Sequence, residues 1–126
     1  MARIKTKDIT ESIANALQYI SYYHSPDFVK AMTRAYEREE SSAAKNAMAQ
    51  ILVNSRLAAE GHRPICQDTG VVVVFLKIGQ SAVIDGDDSI QDAIDLGVHR
   101  AYTNPENPLR ASMVSPPIGA RKNTGD

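Results

Sequence analysis

Apolar positions in the first half of the chain recur at steps of three and four. Between Lys7 and Tyr23 they are Ile9, Ile13, Ala16, Leu17 and Ile20, the spacing that lines one face of an α-helix. Asp8 and Glu11 suit the positive end of that helix's dipole. Ser25-Pro26-Asp27 then reads as an N-cap, a proline at the first helical position and an acid in the first turn. A second helix follows to about Glu39, with Phe28, Val29, Met32 and Tyr36 as its apolar face. Ser41-Ser42 interrupts the pattern, and a third helix runs from Ala43 to Glu60 with Ala44, Ala47, Met48, Ile51, Leu52 and Leu57. Gly61 stands where a left-handed cap costs least.

From Arg63-Pro64 the pattern changes period. Val71-Val72-Val73-Val74-Phe75-Leu76 is short, β-branched and apolar throughout, and reads as a strand covered on both faces. Gly79-Gln80 can turn the chain so that Ala82-Val83-Ile84 returns as the second strand of a hairpin. A fourth helix is predicted from Ser89 to Tyr102, with Ile90, Ile94, Val98 and Ala101 on its buried stripe and Gly97 as a weakness. Pro105, Pro108, Pro116 and Pro117 exclude a long helix afterwards, leaving an extended or looped tail. The fold class is therefore α+β, a helix-rich N-terminal half followed by a β-hairpin and a further helix. The polar ending Arg121-Lys122-Asn123-Thr124-Gly125-Asp126 reads as part of an incomplete domain.

Composition narrows the function classes. A length of 126 residues fits one small domain with one core, and 43% hydrophobic with 23% charged residues is a globular rather than disordered balance. A formal net charge of −1 provides no general attraction to nucleic acid or to an anionic membrane. The run Val71–Leu76 is far shorter than the roughly 20 residues of a membrane helix, and Met1-Ala2-Arg3-Ile4-Lys5 leads into no apolar signal segment. The expectation is a soluble, cytoplasmic chain whose single cysteine forms no internal disulfide.

That cysteine lies in Ile65-Cys66-Gln67-Asp68-Thr69-Gly70, between a helix end and the predicted strand. Such junctions let a rigid element hold a reactive loop. A thiolate binds a soft metal, and the amide and carboxylate beside it could hydrogen-bond a polar substrate. On spacing alone a lone cysteine near a strand is more often a small buried hydrophobe than a ligand, and Asp68 also reads as an Asx-turn residue. His24, His62 and His99 are too scattered for a metal site and suit surface or capping roles. Asp85, Asp87 and Asp88 around Gly86 form a solvated turn rather than a calcium loop, because no glutamate closes it. The glycine spacing around Lys122 is wrong for a phosphate loop.

Three blocks carry more: Arg63-Pro64-Ile65-Cys66-Gln67-Asp68-Thr69-Gly70, then Asn107-Pro108-Leu109-Arg110-Ala111-Ser112, then Gly119-Ala120-Arg121-Lys122-Asn123-Thr124-Gly125-Asp126. In this order they closely resemble the N-terminal region of class I fumarases and of tartrate dehydratase α subunits. The resemblance implies a hydro-lyase that reversibly hydrates fumarate to malate on a [4Fe–4S] cluster held by three cysteines, the alternative being an L(+)-tartrate or other hydroxy-diacid dehydratase. Carried over by motif position, Cys66 is the first cluster ligand, Gln67 and Asp68 contact the bound dicarboxylate, and Asp68 assists proton transfer. Arg110 matches an arginine that clamps a substrate carboxylate, its alternative being a solvated surface charge. The two further cysteines lie outside this chain, so the implied partner is a C-terminal portion or a β subunit, in a homodimer or heteromer. Alone, this chain is expected to be inactive. A different class, a folded remnant domain that holds no cluster, stands beside the enzyme reading.

Overall fold

The computed structural model describes residues 2–67, 71–106, 109, 113–114 and 121–122. In chain order the elements are β1 (Arg3–Lys5), α1 (Thr6–Tyr22), α2 (Pro26–Arg38), α3 (Ser42–Gly61), β2 (Val83–Asp85), α4 (Ile90–Tyr102), β3 (Met113–Val114) and β4 (Arg121–Lys122). All four predicted helices form, and the α+β class holds. The chain falls into two compact units, one of Met1–Gln18 with Gln67–Asp126 and one of Tyr19–Cys66.

In the first unit, α1 and α4 pack around Leu17, Ala101, Tyr102 and Leu109, with Ile13, Val72 and Val98 against them. The buried face of α1 is more polar than the periodicity implies, since Thr6, Thr10 and Gln18 are buried while Ile20 is 63% exposed. Thr10 and Gln18 are satisfied across the helix pair. The Thr10 hydroxyl donates to the Ala93 carbonyl at 2.9 Å, and Gln18 Nε2 donates to the Ala101 carbonyl at 2.6 Å. Each such buried bond contributes about 1 kcal/mol net, and its loss would strand a buried polar group. On α4 the stripe against α1 is Ala93, Gly97 and Ala101, whereas Ile90, Ile94 and Val98 are only partly covered. Small residues four apart let the two backbones approach. A Cβ on Gly97 would lie 2.7 Å from Ile13 Cβ and 2.8 Å from the Thr10 carbonyl oxygen. Gly97 is thus the point of closest helix contact and not a weakness.

The expected hairpin is absent among the described residues. Residues 71–78 form no strand, and β2 pairs in parallel with β1, Ile84 opposite Ile4. Residues Val71, Val73 and Phe75 are exposed, Phe75 by 92%, so the run is not covered on both faces. β-branched residues favour strand dihedrals, but a strand also needs a neighbour for its backbone hydrogen bonds, and none of the described residues supplies one here. The turn at Gly79 does form, with the Ala82 amide donating to the Gly79 carbonyl at 2.9 Å. β3 and β4 pair antiparallel in the tail. The start of α4 follows local chemistry: Ser89 Oγ accepts from the Asp92 amide while Asp92 returns to the Ser89 amide, closing a capping box.

In the second unit α2 packs on α3, and Phe28, Val29, Met32 and Tyr36 are partly buried as their spacing predicts. The face of α3 differs. Ser55 and Ala58 are its buried residues, while Ile51, Val53 and Leu57 are exposed by 41–55%. Pro26 starts α2 as expected, but the Ser25 hydroxyl bonds the Asp27 carboxylate rather than a backbone amide. That bond, with the Phe28 and Asp27 amides, holds the exposed Asp27 carboxyl below the usual carboxylate range. A depressed carboxyl adds stability above its unfolded-state pKa and loses it as pH falls through the folded value. Helical content at α2 should therefore decline at the acid end of that range. Asp27→Asn should remove this acid-induced change, measured by circular dichroism during acid titration.

Candidate functional site

The loop carrying Cys66 begins where α3 ends. His62, not Gly61, adopts the left-handed conformation there, with φ 46° and ψ 51°. A side chain in that region costs roughly 1–2 kcal/mol. The ring has compensating contacts: it stacks on Tyr22 with centroids 4.9 Å apart and planes 19° apart, and its Nε2 lies 3.2 Å from the Tyr23 hydroxyl. The Arg63 amide donates to the Ala58 carbonyl at 3.0 Å, satisfying the helix end. His24 is also committed to packing, with Nδ1 3.0 Å from Ser55 Oγ and its ring stacked on Phe28. The capping and surface roles expected of the histidines hold for His62 and His99, and His24 is an internal contact.

Two hydrogen bonds then fix the residue preceding the cysteine. The Ile65 amide donates to the Ser21 carbonyl at 2.9 Å, and the Ile65 carbonyl accepts from Asn54 Nδ2 at 2.8 Å. Cys66 and Gln67 follow, both exposed. The thiol is not a buried hydrophobe, so that reading of the sequence does not describe its environment. Asp68 and Arg110 lie outside the described residues. Asn54 carried no signal in the apolar periodicity; its one mark was being a poor helix former in a helix interior.

The donor set fits one corner of an iron–sulfur cluster. Cys66 offers one exposed soft thiol, and among the described residues no three His, Cys, Asp or Glu side chains converge as a metal site. A cluster would need thiolates from beyond this chain. The groove of about 260 Å³ in the first unit, lined by Ile4, Ile9, Ile13, Leu76, Ile78 and Ile84 among others, contains none of the candidate residues. Its largely apolar wall is poorly suited to a dianionic substrate. No described helix is long and apolar enough to cross a membrane.

A family model described as fumarate hydratase (Fumerase) matches residues 10–126, covering both units and all four candidate residues. The chain belongs to the fumarate hydratase (Fumerase) family. Among curated fumarase-family relatives, a Methanocaldococcus jannaschii protein assigned as an L(+)-tartrate dehydratase subunit alpha is 35% identical over 108 residues, 86% of this chain and 37% of that protein. The L(+)-tartrate dehydratase subunit alpha of Escherichia coli K12 is 30% identical over 119 residues, 93% of this chain and 38% of that protein. This fumarase-family chain thus spans under two fifths of the length of these relatives.

Proposed function

We propose that this chain is the N-terminal, cysteine-bearing portion of an iron–sulfur hydro-lyase that reversibly hydrates fumarate to (S)-malate. The observation that carries the reading is the exposed Cys66 on a backbone-anchored loop, within the motif that the family match spans. When bound, a [4Fe–4S] cluster supplies a Lewis-acidic iron for a substrate carboxylate and for the hydroxyl that leaves as water. Cys66 would hold one iron of that group. Gln67 offers an amide donor and acceptor to the dicarboxylate, and Asp68 holds or releases a proton beside it. Arg110 presents two parallel N–H groups to a carboxylate and so fixes the substrate's orientation. A complementary portion, fused or separate, supplies the other thiolates, in the reducing cytoplasm. The exposed apolar residues Val71, Val73 and Phe75 are available to such an association.

L(+)-tartrate is the second substrate reading, favoured by the names of the relatives, which are α subunits of a tartrate dehydratase. Both readings are tested by anaerobic reconstitution with iron and sulfide, with and without the complementary portion, followed by assays on fumarate and on L(+)-tartrate. Cluster absorbance and turnover should appear only in the combined preparation. A combined preparation with neither ends the enzyme reading, and turnover of tartrate alone selects the second substrate. Within the active preparation, Arg110→Ala should raise KM about 10–150-fold with a smaller change in kcat, the equivalent of about 1.5–3 kcal/mol for one charged hydrogen-bonding partner. Arg110→Lys should restore part of it, and an unchanged KM in Arg110→Ala would remove the clamp assignment.

A further inference from the structure

A ligand's usefulness depends on the direction in which its backbone presents it, and the residues that set this direction for Cys66 lie on two different helices. Ile65 and Cys66 share one planar peptide unit, whose carbonyl oxygen is that of Ile65 and whose N–H is that of Cys66. Asn54 Nδ2 bonds that carbonyl at 2.8 Å. On its other side Ile65 donates to Ser21, one of the last four carbonyls of α1, which have no partner within their own helix. With both backbone groups of Ile65 engaged, the peptide entering Cys66 is restricted to one plane. Asn54 reaches it from within α3, a 20-residue helix whose neighbouring Ser55 is buried, so the donor sits on a rigid support.

We propose that Asn54 is a positioning residue for Cys66: its side-chain amide holds the Ile65–Cys66 peptide so that the thiolate meets a cluster iron from one direction. This rests on the reading of Cys66 as a cluster ligand. Asn54 bonds the Ile65 carbonyl and would act on the cluster through the cysteine. Because the Asn54 contact is exposed, its loss should leave the helices in place, and the effect belongs to the cluster rather than to folding.

The test uses the chain with its complementary portion, reconstituted anaerobically. Asn54→Ala deletes the donor, and Asn54→Asp keeps the shape while replacing the amide donor with an acceptor. Gln50→Ala, on an exposed position of the same helix, is the control. Readouts are the rate of iron release to a chelator, the electron paramagnetic resonance spectrum of the reduced cluster, and deuterium exchange at the Ile65 and Cys66 amides. Both Asn54 variants should release iron about 10–100-fold faster, the usual range for losing an outer partner of a metal ligand, with an altered spectrum and faster exchange at Cys66. Gln50→Ala should match the parent in all three. If Cys66→Ser loses the cluster but both Asn54 variants keep the parent's release rate and spectrum, the positioning role is refuted. If Cys66→Ser itself retains the parent cluster, the ligand reading fails and takes this inference with it. Should Asn54→Ala lose helical signal, Asn54→Asp decides the matter by the same readouts.

Discussion

Cys66→Ser should empty the reconstituted enzyme of its cluster and reduce fumarate hydration to background while leaving the fold intact. A serine hydroxyl has nearly the size of the thiol, so the exposed loop accepts it; surface changes of this kind usually alter stability by no more than about 0.5 kcal/mol. Its ligand chemistry is different. Iron–sulfur clusters are held by soft thiolates, whereas an alcohol stays protonated near neutral pH and offers a hard oxygen. On the proposed reading, the variant removes one thiolate support and should release the iron it would hold. Iron and acid-labile sulfide content, visible absorbance, and the thermal melt of the same preparation separate the outcomes. An unchanged melt with no cluster is the expected result. Near-normal turnover and iron content in Cys66→Ser would remove the ligand assignment and the proposed function with it.

Gly97→Ala should produce the largest loss of stability among conservative single changes in the α1–α4 pair. Alanine is the better helix former by about 1 kcal/mol, so an unpacked α4 would gain from the change. Packing opposes this. The new methyl would lie 2.8 Å from the Thr10 carbonyl oxygen and 2.7–2.9 Å from two Ile13 side-chain carbons. A carbonyl within a regular helix cannot rotate away, so the two helices must separate. That movement stretches the Thr10–Ala93 and Gln18–Ala101 hydrogen bonds as well. Overpacking typically costs about 1–3 kcal/mol, and weakening two buried bonds adds to it, so the net loss should be about 1–2 kcal/mol. For a chain of this size that is a Tm decrease of roughly 4–8 °C. Gly79→Ala is the internal control, since a Cβ there meets nothing within 4 Å. A Tm for Gly97→Ala equal to or above the parent's would show that α1 and α4 are not in close contact.

The loop at Cys66 shows how the two kinds of information combine. The motif marked Cys66, Gln67, Asp68 and Arg110 through resemblance, because such residues are recognisable by type and order. Its mechanical support was not marked. Asn54 precedes Ile65 by 11 positions, and Ser21 precedes it by more than 40, so neither lies within the window that a local pattern covers. His62 likewise occupies the left-handed cap, where the chain offers a glycine one residue earlier, and its stack on Tyr22 depends on the return of α3 toward the end of α1.

By itself, the order of residues determined where the four helices begin and end, because caps, prolines and apolar spacing act over three or four positions. Ser25-Pro26 before α2 and the Ser89–Asp92 box before α4 are such signals. Tertiary structure alone decided which residues α1, α3 and α4 bury, why position 97 must be glycine, and that Val83–Asp85 joins Arg3–Lys5 rather than the valine run. The α1–α4 contact and the β1–β2 pairing depend on partners about 80 residues away in sequence, and an apolar side chain or a strand edge carries no record of which distant surface will cover it.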